Sequence, residues 1–184
     1  MLIDRDKSQL LIVDVQEKLL PAMSDSERVV AACIRLVKAA HRLGVPITCS
    51  EQYPKGLGPT AEPLRTALED AGAVIEKDTF SCLRSDALRE RLHELRRQGR
   101  PQVVIGGIEA HVCVAQTAID LEEQGFESFV VADAVDSRAK SSRRLALARL
   151  AKSGADIVDS EMVVFEWLGR AGTPEFKELH ALVK

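Results

Sequence analysis

Six short runs of hydrophobic residues recur along the chain, separated by polar or amphipathic stretches. Each run has the length of a β-strand and is apolar with little alternation. This pattern is typical of strands that are buried on both faces of a parallel sheet. The runs predict strands over residues 9–15, 45–50, 73–76, 102–105, 128–132 and 155–158.

The stretches between these runs carry apolar residues three and four positions apart, which predicts helices. Ser24 and Glu27 form a candidate capping box for the first helix, whose apolar stripe runs from Val29 to Leu43 and ends at Gly44. Further helices are predicted from residue 63 to the glycine at 72, from a cap at 85 to 99, over 111–124, over 140–153, and after 173. Residues 51–60 contain two prolines and two glycines, which favours a loop.

Strands that alternate with helices from end to end predict an α/β protein with three layers, a sheet between two layers of helices. Right-handed crossovers favour a doubly wound, Rossmann-like sheet of six mainly parallel strands in the order 3-2-1-4-5-6. We expect residues 1–184 to form a single domain, because no linker, repeat or low-complexity segment interrupts the pattern.

Composition and charge restrict the kinds of partner that we expect the protein to bind. Of the 184 residues, 29% are charged, yet the net charge is only −3 and no basic field dominates, so we expect no nucleic-acid partner. No stretch approaches the ~20 apolar residues of a membrane span, and residues 1–7 lack the apolar core of a signal peptide. We therefore expect a cytoplasmic protein with no membrane partner.

Candidate catalytic residues follow strands one, three and four. In the predicted strand order, the topological switch point lies between strands one and four, where ligands of open α/β sheets bind. Asp14 stands at the end of the first apolar run, Lys77 directly follows the third, and Cys113 begins the helix after the fourth. Singly, such residues are commonly a backbone cap, a solvated lysine and a buried cysteine. Together they converge on the edge where a site is expected.

A thiol nucleophile needs a base for its proton and a nearby positive charge or dipole. Asp14 is the candidate base, Lys77 its charge partner, and the backbone amides of the 106–113 turn a candidate oxyanion hole. Because a helix N-terminus lowers the pKa of a thiol, we expect Cys113 to be more ionised than Cys33, Cys49 and Cys82.

Five segments of the sequence resemble the isochorismatase-like, or cysteine hydrolase, superfamily. They are LLIVDVQ at 10–16, EQYPKGLG at 51–58, EKDTFS at 76–81, GGIEAHVCVAQTAIDL at 106–121 and VVADAVDSR at 130–138. The second and fourth are most similar to the branch of isochorismatase domain-containing proteins. The resemblance covers most of the chain and implies an isochorismatase-like fold.

The resemblance also implies roles for individual residues. The family's catalytic aspartate, lysine and cysteine match Asp14, Lys77 and Cys113. A cis peptide that precedes the cysteine in similar proteins matches Ile108–Glu109, and the amides of Glu109 and Cys113 match the oxyanion hole. Candidate pocket positions are Gln16, Tyr53, Phe80 and Thr117.

The sequence departs from the superfamily's nicotinamidases, which hold a metal with an aspartate and histidines after strand two. Residues 51–60 contain no histidine, and of the histidines in the chain only His111 is near Cys113 in sequence. We therefore predict no catalytic metal and no cofactor.

The sequence thus predicts a hydrolase with a catalytic triad that cleaves an amide-type carbon–nitrogen bond in a small molecule through a thioester. Two alternatives stay open: hydrolysis of a vinyl ether without a covalent intermediate, as in true isochorismatases, and a catalytically silent scaffold or interaction protein. A nucleotide-binding protein is disfavoured, because Gln16-Glu17-Lys18 stands where a glycine-rich loop would follow strand one. Relatives generally self-associate, so a homo-oligomer, a dimer or larger, is expected.

Overall fold

The computed structural model describes residues 1–68 and 71–183, and its centre is a parallel sheet of six strands. The strand order is β3-β2-β1-β4-β5-β6, which confirms the predicted doubly wound α/β fold. The strands are β1 (Ser8–Val13), β2 (Ile47–Gln52), β3 (Gly72–Lys77), β4 (Gln102–Ile108), β5 (Glu127–Asp136) and β6 (Asp156–Val158).

Helices cover both faces of the sheet. One face packs against α1 (Ser26–Leu43), α3 (Glu62–Leu68), α7 (Ser160–Leu168) and α8 (Pro174–Leu179), and the other against α4 (Asp86–Arg97), α5 (Ala115–Glu123) and α6 (Lys140–Lys152). Strand β1 serves both layers, because Leu10 and Ile12 face the first while Leu11 and Val13 face the second. A strand with two buried faces has to be apolar throughout, which explains the hydrophobic run.

Several helix boundaries differ from the predictions. The N-cap of α1 is Asp25, whose side chain accepts a hydrogen bond from the Arg28 amide, and Ser24 instead donates to Asp136. A short helix, α2 (Pro54–Leu57), lies in the predicted loop, and α7 was not predicted. The sequence predicts that α3 continues through residues 69 and 70, which lie outside the described residues.

Gly107 lets the two central strands approach each other where the candidate site forms. It pairs with Val13 of β1 and has a φ of 122°. A Cβ atom at this position would lie 2.0 Å from the Val13 carbonyl oxygen, closer than any side chain tolerates. The glycine is therefore required for β4 to pair with β1 next to Asp14.

A bulge in β5 shifts its register against β4 near the same edge. Ile105 pairs with Val130, whereas Gly107 pairs with Val135, so residues 131–134 are the irregular segment. The shift carries the end of β5 to the carboxyl edge of the sheet, beside the end of β4.

Candidate active site

Asp14 lies directly after β1, at the switch point of the sheet. Its backbone is left-handed, with a φ of 53°, and its side chain has no solvent exposure. The carboxylate accepts one hydrogen bond on each oxygen, from the Ser50 hydroxyl at 2.7 Å and from the Lys77 ammonium at 2.7 Å. A non-glycine residue in this conformation is uncommon, and such residues cluster at functional sites.

Lys77 is the last residue of β3, and its side chain is also fully buried. Besides Asp14, its ammonium contacts the Gln52 side-chain oxygen at 2.6 Å and the carbonyl oxygens of Thr79 at 3.0 Å and Phe80 at 3.2 Å. These acceptors replace the water that the charge loses on burial. The lysine ammonium is therefore held in one place beside Asp14.

Cys113 lies in a π-helical turn, Ala110–Val114, which connects β4 to α5. Its thiol is near enough to Asp14 for that carboxylate to change its pKa. The structure thus brings together Asp14, Lys77 and Cys113 from three separate segments of the chain.

The Cys113 thiol is neutral in the resting protein. Burial raises its pKa well above the ordinary value, and the negative charge of Asp14 raises it further. Burial raises the pKa of Cys82 to about 11 and that of Cys49 to about 12. The prediction that a helix N-terminus makes Cys113 the most ionised thiol is therefore wrong, because desolvation and a neighbouring carboxylate outweigh the helix dipole.

Access distinguishes Cys113 from the other cysteines. It retains 7% exposure, whereas Cys33, Cys49 and Cys82 retain 0%. Cys113 is therefore the cysteine that an incoming reagent or substrate can approach most readily.

The pKa of Asp14 results from opposing effects. Burial is the largest effect and leaves the pKa of Asp14 above its ordinary value, although the charge and hydrogen bond of Lys77, the hydroxyl of Ser50 and the thiol of Cys113 lower it. An ionised Asp14 therefore depends on the groups that surround it.

The four candidate pocket residues fall into two groups. Gln16 and Thr117 are buried: the Gln16 amide bonds the backbone of Gln52 and the Gly58 carbonyl, and the Thr117 hydroxyl accepts from the Cys82 amide. Both side chains therefore hold neighbouring backbone segments in place through hydrogen bonds.

Tyr53 and Phe80 are the exposed pair, at 59% and 55%. Tyr53 has a left-handed backbone with a φ of 39°, and its amide donates to the Lys77 carbonyl at 2.8 Å. A cavity of about 350 Å³ opens beside it, bordered also by Lys55, Lys77 and Asp78.

Two residues that contact the candidate catalytic pair were missed in the sequence: Ser50 on Asp14 and Gln52 on Lys77. Both lie at the carboxyl end of β2, next to β1. Polar side chains at the end of a buried strand beside the switch point were the available signal.

The peptide bond between Ile108 and Glu109 is cis, at the position that the family resemblance implies. The Glu109 carboxylate accepts hydrogen bonds from the Arg138 amide at 3.0 Å and from its guanidinium at 3.1 Å. His111 bonds the Ser137 hydroxyl at 2.8 Å. The end of β5 is thereby tied to the turn that carries Cys113.

Within residues 1–68 and 71–183, no group of three or more histidine, cysteine or acidic side chains is placed to hold a metal ion.

A family model described as the isochorismatase domain matches residues 8–162. The chain belongs to the isochorismatase family. Isochorismatase domain-containing protein 1 of Danio rerio is 40% identical over 171 residues, which cover 93% of this chain and 59% of that protein. Isochorismatase domain-containing protein 2 of Homo sapiens is 37% identical over 180 residues, which cover 96% of this chain and 83% of that protein. The resemblance seen in the sequence is thus confirmed.

Solved structures with the isochorismatase-family fold also match. A structure described as the MAR1 ribonuclease of Caenorhabditis elegans has 34% identity and a TM-score of 0.92, covering 100% of this chain and 92% of that one. The Escherichia coli YcaC product, described as an octameric hydrolase of unknown specificity, has 23% identity and a TM-score of 0.89, covering 99% and 90%. At that identity, the second likeness supports the fold alone.

Proposed function

We propose that this protein is a cysteine-dependent hydrolase that cleaves an amide-type carbon–nitrogen bond in a small molecule. Cys113 is the nucleophile, Asp14 the general base and Lys77 the partner of the base. The observation that carries the proposal is the fully buried Asp14–Lys77 pair beside Cys113, the one cysteine that retains any solvent exposure.

A buried ion pair contributes little to stability, because the cost of removing two charges from water offsets their attraction. An apolar pair of similar volume would fill the same space. Charges retained in such a place, next to a nucleophilic side chain, mark a functional site.

The proposed reaction begins with a neutral thiol. As Cys113 Sγ attacks the substrate carbonyl, its proton passes to Asp14, so that no free thiolate accumulates beside the carboxylate. The backbone amides of Glu109 and Cys113 stabilise the oxyanion. The leaving nitrogen takes the proton from Asp14, the carbon–nitrogen bond breaks, and water then hydrolyses the thioester.

Lys77 stabilises the ionised form of Asp14 and is not itself a proton donor in this scheme. Its ammonium has acceptors from four groups, which hold it in a single orientation. Without it, burial would leave Asp14 protonated and unable to accept the thiol proton.

Tyr53 and Phe80 are proposed to border the substrate pocket, and a homo-oligomer, a dimer or larger, is proposed to shield these exposed rings. The Escherichia coli protein of the same fold is described as an octamer, and we propose self-association for this chain as well. No described helix is both long and apolar enough to cross a membrane. A single domain, a cytoplasmic location and the absence of a cofactor complete the proposal.

The substrate is proposed to be a small molecule, although one relative is described as a ribonuclease. A net charge of −3 gives this chain no general attraction for a phosphate backbone. The test is a screen of the purified protein against small amides, ureides, vinyl ethers and an RNA oligonucleotide. Turnover of an amide or ureide supports the proposal. Turnover of a vinyl ether alone, with Cys113→Ala as active as the wild type, favours the isochorismatase reaction instead.

A further inference from the structure

Ser50, the fourth residue of β2, holds Asp14 at two points. Its carbonyl oxygen accepts a hydrogen bond from the Asp14 amide at 3.1 Å, and its hydroxyl donates to Asp14 Oδ1 at 2.7 Å. Ser50 is itself completely buried and pairs with Val13 across the sheet. The same residue thus fixes both the backbone and the carboxylate of Asp14.

A second contact sets the direction of the Ser50 hydroxyl. The Cys82 thiol donates to Ser50 Oγ at 3.7 Å, so the serine oxygen accepts from Cys82 while its own proton points to Asp14. The Cys82 amide is in turn bound by the Thr117 hydroxyl at 2.9 Å, which anchors the turn to α5. With its oxygen accepting from Cys82, the Ser50 hydroxyl donates its proton to the Asp14 carboxylate.

We infer that Ser50 is a positioning residue that orients the Asp14 carboxylate for its reaction with Cys113. This inference rests on the proposed function, in which Asp14 is the base. A hydroxyl that donates to a carboxylate favours its charged form, so Ser50 and Lys77 act in the same direction, one on each carboxylate oxygen.

The charged and titratable groups around Asp14 come from several elements. Lys77 of β3 is the cation, and the thiols of Cys113, Cys82 and Cys49 approach from the π-helical turn, the turn at 82–84 and β2. All three thiols have raised pKa values and are neutral near pH 7. Loss of the Ser50 hydroxyl therefore leaves Lys77 as the main group that opposes protonation of Asp14.

The test is the pH dependence of the reaction of Cys113 with iodoacetamide, followed by mass spectrometry of the peptide that contains Cys113. In the proposed mechanism Asp14 accepts the thiol proton in alkylation as it does in catalysis, and alkylation needs no substrate. Below the pKa of Asp14 the base is protonated, and the rate falls. Ser50→Ala raises that pKa, so the acid limb of the profile moves to higher pH by about one unit. Ser50→Thr keeps the hydroxyl and restores the wild-type limb.

Thr48 offers a matched control two residues earlier on β2. It is buried, and its hydroxyl has no hydrogen-bond partner within the described residues. Thr48→Val removes a buried hydroxyl from the same strand without touching Asp14. The acid limb of the Thr48→Val alkylation profile should coincide with that of the wild type.

A folded Ser50→Ala protein whose acid limb matches the wild type would overturn the inference. If Ser50→Ala does not fold, Ser50→Cys supplies a weaker hydrogen-bond donor at the same position. Its acid limb should then move to higher pH by a smaller amount, and an acid limb that matches the wild type would overturn the inference. Failure of the proposed function has a different signature. In that case Cys113→Ala keeps turnover on the substrate, whatever the Ser50 variants do to the alkylation profile.

Discussion

The chemistry of the site depends on the protonation state of Asp14, which a few neighbouring groups control. Burial favours the neutral carboxyl and raises the pKa of Asp14, and Lys77 and Ser50 oppose that shift by direct contact. Cys113 has the opposite arrangement, since both burial and the Asp14 charge keep its thiol protonated. In the proposed mechanism the pair rests as carboxylate and thiol, and one proton passes between them during the reaction.

Replacing Lys77 tests this dependence. In Lys77→Met the pKa of Asp14 rises and that of Cys113 rises as well, because a nearby cation favours both anions. Alkylation of Cys113 by iodoacetamide at pH 7 should slow by about tenfold or more, since an opposite charge at this distance changes a pKa by 1–3 units, roughly. The exposed Lys38 of α1 provides the control, and Lys38→Met should react at the wild-type rate. Equal rates for the two variants would contradict the role assigned to Lys77.

Strands β1 and β4 carry the site between them, and their close pairing depends on Gly107. Gly107→Ala would place a methyl group against the Val13 backbone in addition to straining a positive φ. Gly99 has a φ of 91° but open space around it, so Gly99→Ala separates the backbone strain from the steric clash. Urea unfolding should show that Gly107→Ala lowers the free energy of unfolding by about 2 kcal/mol or more beyond the effect of Gly99→Ala. Similar losses in both variants would mean that the strands can adjust.

The strands and the edge that carries the site could be predicted because they follow from the hydrophobic pattern. Asp14, Lys77 and Cys113 end or follow strands that the pattern locates, so topology alone brings them to one edge. Ser50 and Gln52 could not be identified in the same way, because their roles depend on the register of β2 against its neighbours. Such pairing is a property of the folded sheet, so the polar residues at the end of β2 could indicate the edge of the site but not which group each one contacts.

Local competition explains two of the wrong predictions. Ser24 and Asp25 are both good N-cap residues, and the choice between them depends on Asp136, which is distant in sequence and binds the Ser24 hydroxyl. The pKa of Cys113 was predicted from its place near a helix start, whereas its actual surroundings include a carboxylate from another strand. In both cases a contact distant along the chain outweighs a local preference.

As a whole molecule, the protein leaves aromatic and aliphatic side chains at its surface, among them Tyr53, Phe80 and Leu145. We propose that a homo-oligomer covers some of these side chains. Light scattering at micromolar concentration should give a mass of at least twice 20.2 kDa. A strict monomer over that range would contradict the proposed homo-oligomer.

The proposed chemistry uses only side chains and backbone amides of the chain. Dialysis against EDTA should therefore leave turnover of the screened substrate unchanged, with an untreated sample as the control. Loss of turnover that zinc or manganese restores would show that a metal participates and would require another mechanism.

The most direct measurement of the proposed mechanism is the turnover of Cys113→Ala on the substrate that the screen identifies. The variant should fold as the wild type does and lose turnover by about 10³-fold or more, because no other thiol can form the thioester. Cys33→Ala removes a fully buried thiol of α1 and should keep near-normal turnover. Near-normal turnover in Cys113→Ala would contradict the thioester mechanism, and hydrolysis without a covalent intermediate would then be the better explanation.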